Sequence, residues 1–401
     1  MLISPKISNL ANSLIVGDNN YLDNFLLNEG SPLIEKIEND YDNVLITFLY
    51  KAKEKIDNVV IYGAFPGYRY NENKMQQLPN SNLWFKTYKI KNNLRFSYNY
   101  SVNDSLDDDY KKRSKNLILD EFNPKKITSI KDEEDIESEE ISKSLVELEN
   151  VEPQIWITST KDIPKGKIEL YRISSKILSN SRRIWIYIPY GYDGNKIDNV
   201  IVLTDGFDHI NILNAKNVLD NLIHNEKIPK SICVFIDTSI DRFKELTCNE
   251  IFSKFIEKEL MPWIHESYNV NAHPKNTIIG GISLGGLFAA YLGLKHPNIF
   301  GNILAQSGSF WWNDEWLIEE YKKSGLLPLK FYLNVGFLEN KPYDDEPIMK
   351  DCVDKMRYVL LSKGYNVSYE EFPSGHDYLC WGEKLATGLI ALISKEKIQV
   401  L

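Results

Sequence analysis

The stretch Gly281-Ile282-Ser283-Leu284-Gly285 limits the possible folds of this chain more than any other. It follows an apolar run, Thr277-Ile278-Ile279-Gly280, and opens a helix-like segment, Gly286-Leu287-Phe288-Ala289-Ala290-Tyr291-Leu292. Strand, sharp turn and helix in that order make a nucleophile elbow, where a serine at the tip of the turn presents its hydroxyl above a sheet. The glycines are needed because the backbone is crowded at such a turn. The competing reading is a Gly-rich turn whose serine merely caps the helix.

An elbow needs a sheet, and the second half of the chain supplies one. Arg183–Pro189, Val200–Leu203, Ile232–Asp237, Ile303–Ser307, Phe331–Val335 and Val367–Phe372 read as strands, several of them nearly continuous apolar runs of the kind buried on both faces. Helical stretches alternate with them at 215–224 and 250–265, the latter shortened or kinked at Pro262. The expected class is therefore α/β, with a mostly parallel central sheet. The first 40 residues give weak signals, at most a short helix. The runs 44–50, 59–62, 83–88 and 94–100 are aromatic and β-branched, and predict a small β-sandwich in which 83–88 buries one face.

With 401 residues, two domains are expected, 1–150 and 151–401. Between Asp132 and Glu149 nine acidic residues oppose only Lys143, which reads as a solvated acidic linker or insertion at about 130–150 rather than a partner-binding tail. Four scattered cysteines, the lack of an apolar leader and the lack of a membrane-length apolar run point to a cytoplasmic protein with reduced thiols. The net charge of −9 argues against nucleic acid as a partner. No His/Asp/Glu cluster has metal-ligand spacing, so neither metal nor cofactor is expected for the chemistry.

A serine hydroxyl at neutral pH needs a base, and imidazole suits the task. His376, in Pro373-Ser374-Gly375-His376-Asp377-Tyr378, follows the last strand, where this architecture places its base; His296 reads instead as a helix C-terminal residue. The acid belongs on the loop after 331–335. Glu339 comes first there; Asp345, Asp344 and a Ser–His pair without an acid stay open. The oxyanion hole calls for the N–H of Leu284 and a second N–H from Gly206 or Phe207 in Thr204-Asp205-Gly206-Phe207, with Asp205 beside it as a substrate-binding candidate. Gly206 is expected to let the backbone approach the substrate.

These residues carry a resemblance. Trp185–Pro189, Leu203–Gly206, Arg242-Phe243-Lys244-Glu245-Leu246-Thr247-Cys248-Asn249, Gly281–Gly286, Gln306-Ser307-Gly308-Ser309-Phe310-Trp311-Trp312 and Gly375–Trp381 together resemble the enterochelin (enterobactin) esterase family of esterase D-like α/β hydrolases over about residues 155–390. Asp120-Glu121-Phe122-Asn123-Pro124 is similar to the end of that family's Ig-like N-terminal domain. The resemblance implies an Ig-like sandwich before an α/β-hydrolase domain, and a serine esterase that opens a ferric catecholate siderophore inside the cell. Trp311 and Trp312 are candidates for an acyl pocket, with core packing as the alternative. Arg242 either holds a substrate anion or pairs with Glu245, and Lys244, Arg182 and Arg183 are the other cations that can offset the acidic field. Competing readings are an esterase for other esters and a silent binding protein of the same fold.

Overall fold

The computed structural model of the chain describes residues 4–15, 21–107, 109–135, 138–238, 241–342 and 347–394. In the N-terminal part the strands are β1 (Leu33–Ile37), β2 (Asp40–Lys51), β3 (Val59–Gly63), β4 (Gln76–Gln77), β5 (Leu83–Lys91), β6 (Arg95–Val102), β7 (Lys126–Ser129) and β8 (Ile141–Glu147). They form two antiparallel four-stranded sheets, β1-β2-β5-β4 and β3-β6-β8-β7. Alternate residues of each turn inward to one shared core, including Ile46 and Phe48 of β2, Ile61 of β3, Phe96, Tyr98 and Tyr100 of β6, and Val146 of β8. Period-two alternation makes this possible, since one face of each strand can be apolar throughout.

Strand β5 departs from the expectation of one buried face. Trp84 joins the inter-sheet core, while Leu83 and Phe85 are buried on the other side, under the helices Pro5–Ile15 and Tyr21–Glu29. Among the described residues, the first 40 thus hold two helices, β1 and the first residue of β2. Behind the core, Asp120 accepts hydrogen bonds from the hydroxyls of Ser31 (2.6 Å), Tyr98 (2.7 Å) and Tyr100 (3.0 Å). Burial holds its carboxyl above the usual carboxylate range, and those hydroxyls pull the other way.

The acidic stretch is not a solvated linker. Residues 141–147 are β8, with Ser144 and Val146 buried, and Leu148 and Asn150 bond back to Leu94 and Asn92. Two of its first carboxylates reach arginines further along the chain: Asp132 pairs with Arg183, and Glu134 with Arg172 at 2.7 Å.

The second part is built on β9 (Lys167–Ser175), β10 (Asn180–Ile188), β11 (Asn199–Leu203), β12 (Ser231–Ile236), β13 (Thr277–Ile282), β14 (Asn302–Gln306), β15 (Lys330–Gly336) and β16 (Asn366–Phe372). They make one eight-stranded sheet in the order β9-β10-β12-β11-β13-β14-β15-β16, antiparallel at the β9–β10–β12 edge and parallel from β12 onward. This mostly parallel sheet fits an α/β hydrolase. β11 to β14 are buried along their whole length because helices cover both faces. The helices Leu284–Lys295, Trp312–Lys323 and Met349–Ser362 pack one side; Ala215–His224 and Tyr378–Ile393 pack the other. The helix around Pro262 runs on rather than ending: 250–255 and 261–267 are joined by a wider turn at 256–260, which accommodates the missing N–H of proline.

Phe48 tests the shared sandwich core. It is fully buried and its ring meets Phe65, Tyr88, Phe96 and Tyr98. Phe48→Ala is expected to cost about 3–5 kcal/mol in urea unfolding; a loss below about 1 kcal/mol would show that the two sheets do not share this core.

Candidate active site

At the end of β13, Ser283 has φ 56° and ψ −119°, a conformation L-residues avoid and a site of stored strain. The surroundings impose it. The Ser283 N–H donates to Gln306 O at 2.8 Å, while the Ser283 carbonyl accepts from Gly286, Leu287 and Ser309 at 3.0, 3.2 and 3.1 Å. Strand and helix cross here at a distance only glycine permits. A Cβ on Gly281 would lie 2.5 Å from Thr204 Oγ1, and one on Gly285 2.4 Å from the same atom.

Three loops at the carboxyl ends of neighbouring parallel strands bring the candidate groups together, where ligands bind in such sheets. His376 Nε2 lies 3.0 Å from Ser283 Oγ, and His376 Nδ1 lies 2.7 Å from Glu339 Oε2. Glu339 is 4 % exposed, and its other oxygen accepts from Ser307 Oγ at 2.6 Å and from the Gly336 N–H at 2.7 Å. Asp344 and Asp345 lie outside the described residues.

Around this row stand Ser307 and Ser309, to which sequence alone assigns no role, and Trp381, which it offers only as a packing partner of His376. Ser309 Oγ is 3.3 Å from Ser283 Oγ, and Trp381 donates its indole N–H to Ser307 Oγ at 3.1 Å. The Trp381 ring also meets the His376 ring edge-on at 5.0 Å. Their only sequence signal was membership of the Q-S-G-S-x-W-W and G-H-D-x-x-x-W blocks.

Leu284 begins the helix after the elbow, and Gly206 and Phe207 begin the helix Gly206–Asn211, so their N–H groups have no intrahelical acceptor. A Cβ on Gly206 would lie 2.9 Å from the Phe235 carbonyl carbon, so this position is glycine where its backbone approaches β12 closely.

Three charged expectations need correction. Arg242 is paired neither with Glu245 nor with a vacant anion subsite. Its fork grips Asp205 at 2.6 and 2.8 Å and reaches Ile282 O at 3.4 Å, tying the 242–246 helix to the elbow. Asp205 is 2 % exposed and committed to that fork, so it is not a pocket residue. Arg182 takes Glu245 instead, at 2.5 Å, and Arg183 takes Asp132 and Asp237. These cations are consumed inside the protein.

Next to this cluster, Asp208 accepts from Tyr378 OH at 3.1 Å, linking the 206–211 helix to the His376 loop. Burial, reinforced by the charge of Asp205, pushes its carboxyl up to about 6, against the pull of Tyr378 and Arg242. The next residue, His209, is fully buried, and burial lowers its imidazole to about 4.

Ser283, Leu284, Ser309, Glu339 and His376 open onto a cavity of 420 Å³. Trp311 lines it, together with Phe243 and Met349; Trp312 does not, and packs edge-on against Trp316 at 6.2 Å. The opposite wall comes from the sandwich, through Ala64, Gly67 and Tyr68. The two parts interlock here. Phe337 and Leu338, just before Glu339, pack on the sandwich core, and Ser97 Oγ donates to Asp377 at 3.3 Å. Lys341 Nζ sits on the rim, 3.4 Å from both Pro66 O and Glu72 Oε2. Among the described residues no cluster of His, Cys, Asp and Glu is placed to hold a metal, and no helix is long and apolar enough to cross a membrane.

With this geometry in hand, comparison with known proteins gives a consistent result. The family model described as "Putative esterase" matches residues 175–392, more than half of the chain, and the chain belongs to that esterase family. The resemblance to enterochelin esterases holds among its relatives. The iron(III) enterobactin esterase of Escherichia coli O6:H1 is 30% identical over 228 residues, covering 54% of this chain and 55% of the relative. That of Dickeya dadantii is 28% identical over 245 residues, covering 56% and 54%. The matched part of the chain thus spans about half the length of these curated relatives. In fold the likeness is wider. The ferric enterobactin esterase of Salmonella typhimurium superposes with a TM-score of 0.75 at 22% identity, covering 92% of this chain and 98% of that one. The enterobactin esterase of Shigella flexneri, solved in the presence of enterobactin, gives 0.72 at 24%, covering 94% and 98%.

Two measurements check the site's architecture. A Cβ on Gly375 would lie 2.9 Å from Ala64 Cβ and 3.2 Å from Leu338 Cβ. Gly375→Ala should therefore displace the His376 loop and lower ester turnover by about tenfold or more while the fold survives; unchanged turnover would show that the sandwich does not brace this loop. For Asp208 the carboxyl rises from 3.8 unfolded to about 6 folded, so its protonated form favours folding. The wild type should lose up to about 3 kcal/mol of stability as pH climbs from about 4 to 6. Asp208→Asn should remove that slope and be the more stable protein at pH 7, the gap closing below pH 4; parallel stability–pH curves would refute the assignment.

Proposed function

We propose that this member of the esterase family is a serine esterase that hydrolyses the ester bonds of a catecholate siderophore of the enterobactin type, including its ferric complex, and so frees iron in the cytoplasm. The observation that carries the reading is the hydrogen-bonded row Ser283–His376–Glu339, laid across the carboxyl ends of one sheet and opening into an aromatic cavity.

In this reading His376 Nε2 takes the proton of Ser283 Oγ as that oxygen attacks the ester carbonyl, and Glu339 holds the imidazole through Nδ1 and stabilises its charged form. The N–H of Leu284 and that of Gly206 or Phe207 receive the oxyanion. One such donor is worth about 3–4 kcal/mol of transition-state stabilisation. His376 then returns the proton to the departing alcohol, and water repeats the sequence on the acyl-enzyme. No step uses a metal held by the protein; iron belongs to the substrate.

Tyr68, Phe243 and Trp311 offer ring faces suited to a catechol, and Lys341 supplies positive charge at the rim of a protein whose net charge is −9. We further infer that the division falls near residue 150 and that the N-terminal sandwich is Ig-like. It would act as a working wall of the substrate site. The names of the relatives, iron(III) enterobactin esterases, favour a siderophore ester over other esters as the substrate.

Ser283→Ala should abolish hydrolysis of enterobactin, loaded with iron or free, as followed by chromatography of the products, with the melting temperature unchanged. Near wild-type turnover by that variant would refute the elbow assignment. Cleavage of simple aryl esters with siderophores left intact would refute the substrate.

A further inference from the structure

Behind the row of three lies a second line of hydrogen bonds that the proposed chemistry does not yet use. Glu339 is buried and, among the described residues, pairs with no lysine or arginine, so its orientation depends on the donors it collects. One oxygen faces His376; the other takes two donors, the Gly336 N–H from its own loop and Ser307 Oγ from the loop after β14. Ser307 is itself constrained. It is fully buried at φ 45°, and its N–H is bound by Asn334 O at 3.0 Å.

The chemistry of the donors sets the direction of this line. An indole N–H can only donate, and a carboxylate can only accept. Because Trp381 Nε1 donates to Ser307 Oγ, the single hydroxyl proton of Ser307 is left for Glu339 Oε1. Each donation polarises the next. The same Trp381 presses its ring edge-on against His376, so one side chain restrains the imidazole by contact and the carboxylate through a hydroxyl. Trp381 lies in the first turn of the helix Tyr378–Ile393, which Asp377 caps through the Leu379 N–H at 3.1 Å. That helix begins two residues after His376.

We propose that Ser307 and Trp381 are positioning residues for hydrolysis: Trp381 orients the Ser307 hydroxyl, and Ser307 turns the Glu339 carboxylate so that Oε2 meets His376 Nδ1. This rests on the serine-esterase reading above and adds a role to two residues outside the triad. Removing a donor from Oε1 leaves more negative charge facing Nδ1, which makes the imidazole harder to deprotonate. The other ionisable groups near His376 are Lys341 on the cavity rim and Asp377, which turns away to Ser374 and Ser97; Tyr378 is bound to Asp208. Trp381 packs edge-on against Tyr378 at 5.6 Å, and Trp381→Phe keeps an aromatic ring at that contact.

The test compares Ser307→Ala, Trp381→Phe, which keeps an aromatic ring but loses the N–H, and the double variant, with Ser283→Ala as control, in steady-state hydrolysis of enterobactin across pH. Ser307→Ala should lower kcat by about 10- to 100-fold with KM nearly unchanged, and Trp381→Phe by less. In both, the ascending limb of the pH profile should move to higher pH, by about half a unit or more for Ser307→Ala. The double variant should be no slower than Ser307→Ala, because the indole acts through that hydroxyl. Melting temperatures are read alongside, and Ser307→Ala alone decides the matter if Trp381→Phe does not fold. Wild-type kcat in Ser307→Ala, a loss of kcat with an unmoved limb, or additive losses in the double variant would each overturn the proposal while leaving the esterase reading intact. Turnover by Ser283→Ala would overturn that reading, and this one with it.

Discussion

The close crossing of β13 and the helix that follows it is the constraint on which the rest of the site depends. Gly281 and Gly285 bring two backbones against the Thr204 hydroxyl, leaving room for no side chain at either position. That contact turns the chain so abruptly that Ser283 is held at φ 56°, at a cost on the order of 1–3 kcal/mol. The strain persists because β13 sits mid-sheet, buried between β11 and β14 with helices on both faces. The same turn leaves the Leu284 N–H unbonded within its helix, next to Ser283. The positions of the Ser283 side chain and of the Leu284 N–H are thus set by one packing event.

Charge organisation follows a different logic. An acidic protein can use its arginines internally, and this one does. Arg183 joins Asp132 of the sandwich to Asp237 of the hydrolase part, Arg182 holds Glu245, and Arg242 holds Asp205. Partly buried pairs of this kind fix geometry more than they add stability, since desolvation offsets much of the attraction. They hold the 242–246 helix at the elbow and the acidic stretch on the sheet edge. At the cavity, Lys341 is a cation among mostly apolar lining residues, and it too touches both parts of the chain. The sandwich contributes to the site on two sides, as a wall through Ala64 and Tyr68 and as a brace beneath the Glu339 and His376 loops.

Much of the fold was legible because its signals are local. Apolar runs marked β11, β12 and β13, glycine spacing marked the sharp turn at Ser283, and the position of His376 after the last strand put it on the loop that meets Ser283. The acid was harder, since Glu339, Asp344 and Asp345 share one loop and nothing in their spacing ranks them. Arg242 was misread for a related reason. Glu245 is three residues away in sequence, but the partner is Asp205, reached only when β11 and the 242–246 helix are packed together. Composition made 132–149 look solvated, whereas Asp132 and Glu134 meet Arg183 and Arg172 of the large sheet and residues 141–147 form β8. Ser307 and Trp381 carried no chemical signal of their own, because a buried hydroxyl and a buried indole are ordinary core residues until their partners are known.

By itself the sequence determined the elements and the elbow, because strand periodicity, glycine placement and loop order express steric rules that act within a few residues. Tertiary structure decided which partners each charge and hydroxyl would have: Asp205 for Arg242, Ser307 for Glu339, Trp311 rather than Trp312 for the cavity. The two hydrogen-bonded pairs join groups 37 and 32 residues apart, and hydrogen bonds at such separations are selected by packing of the whole chain.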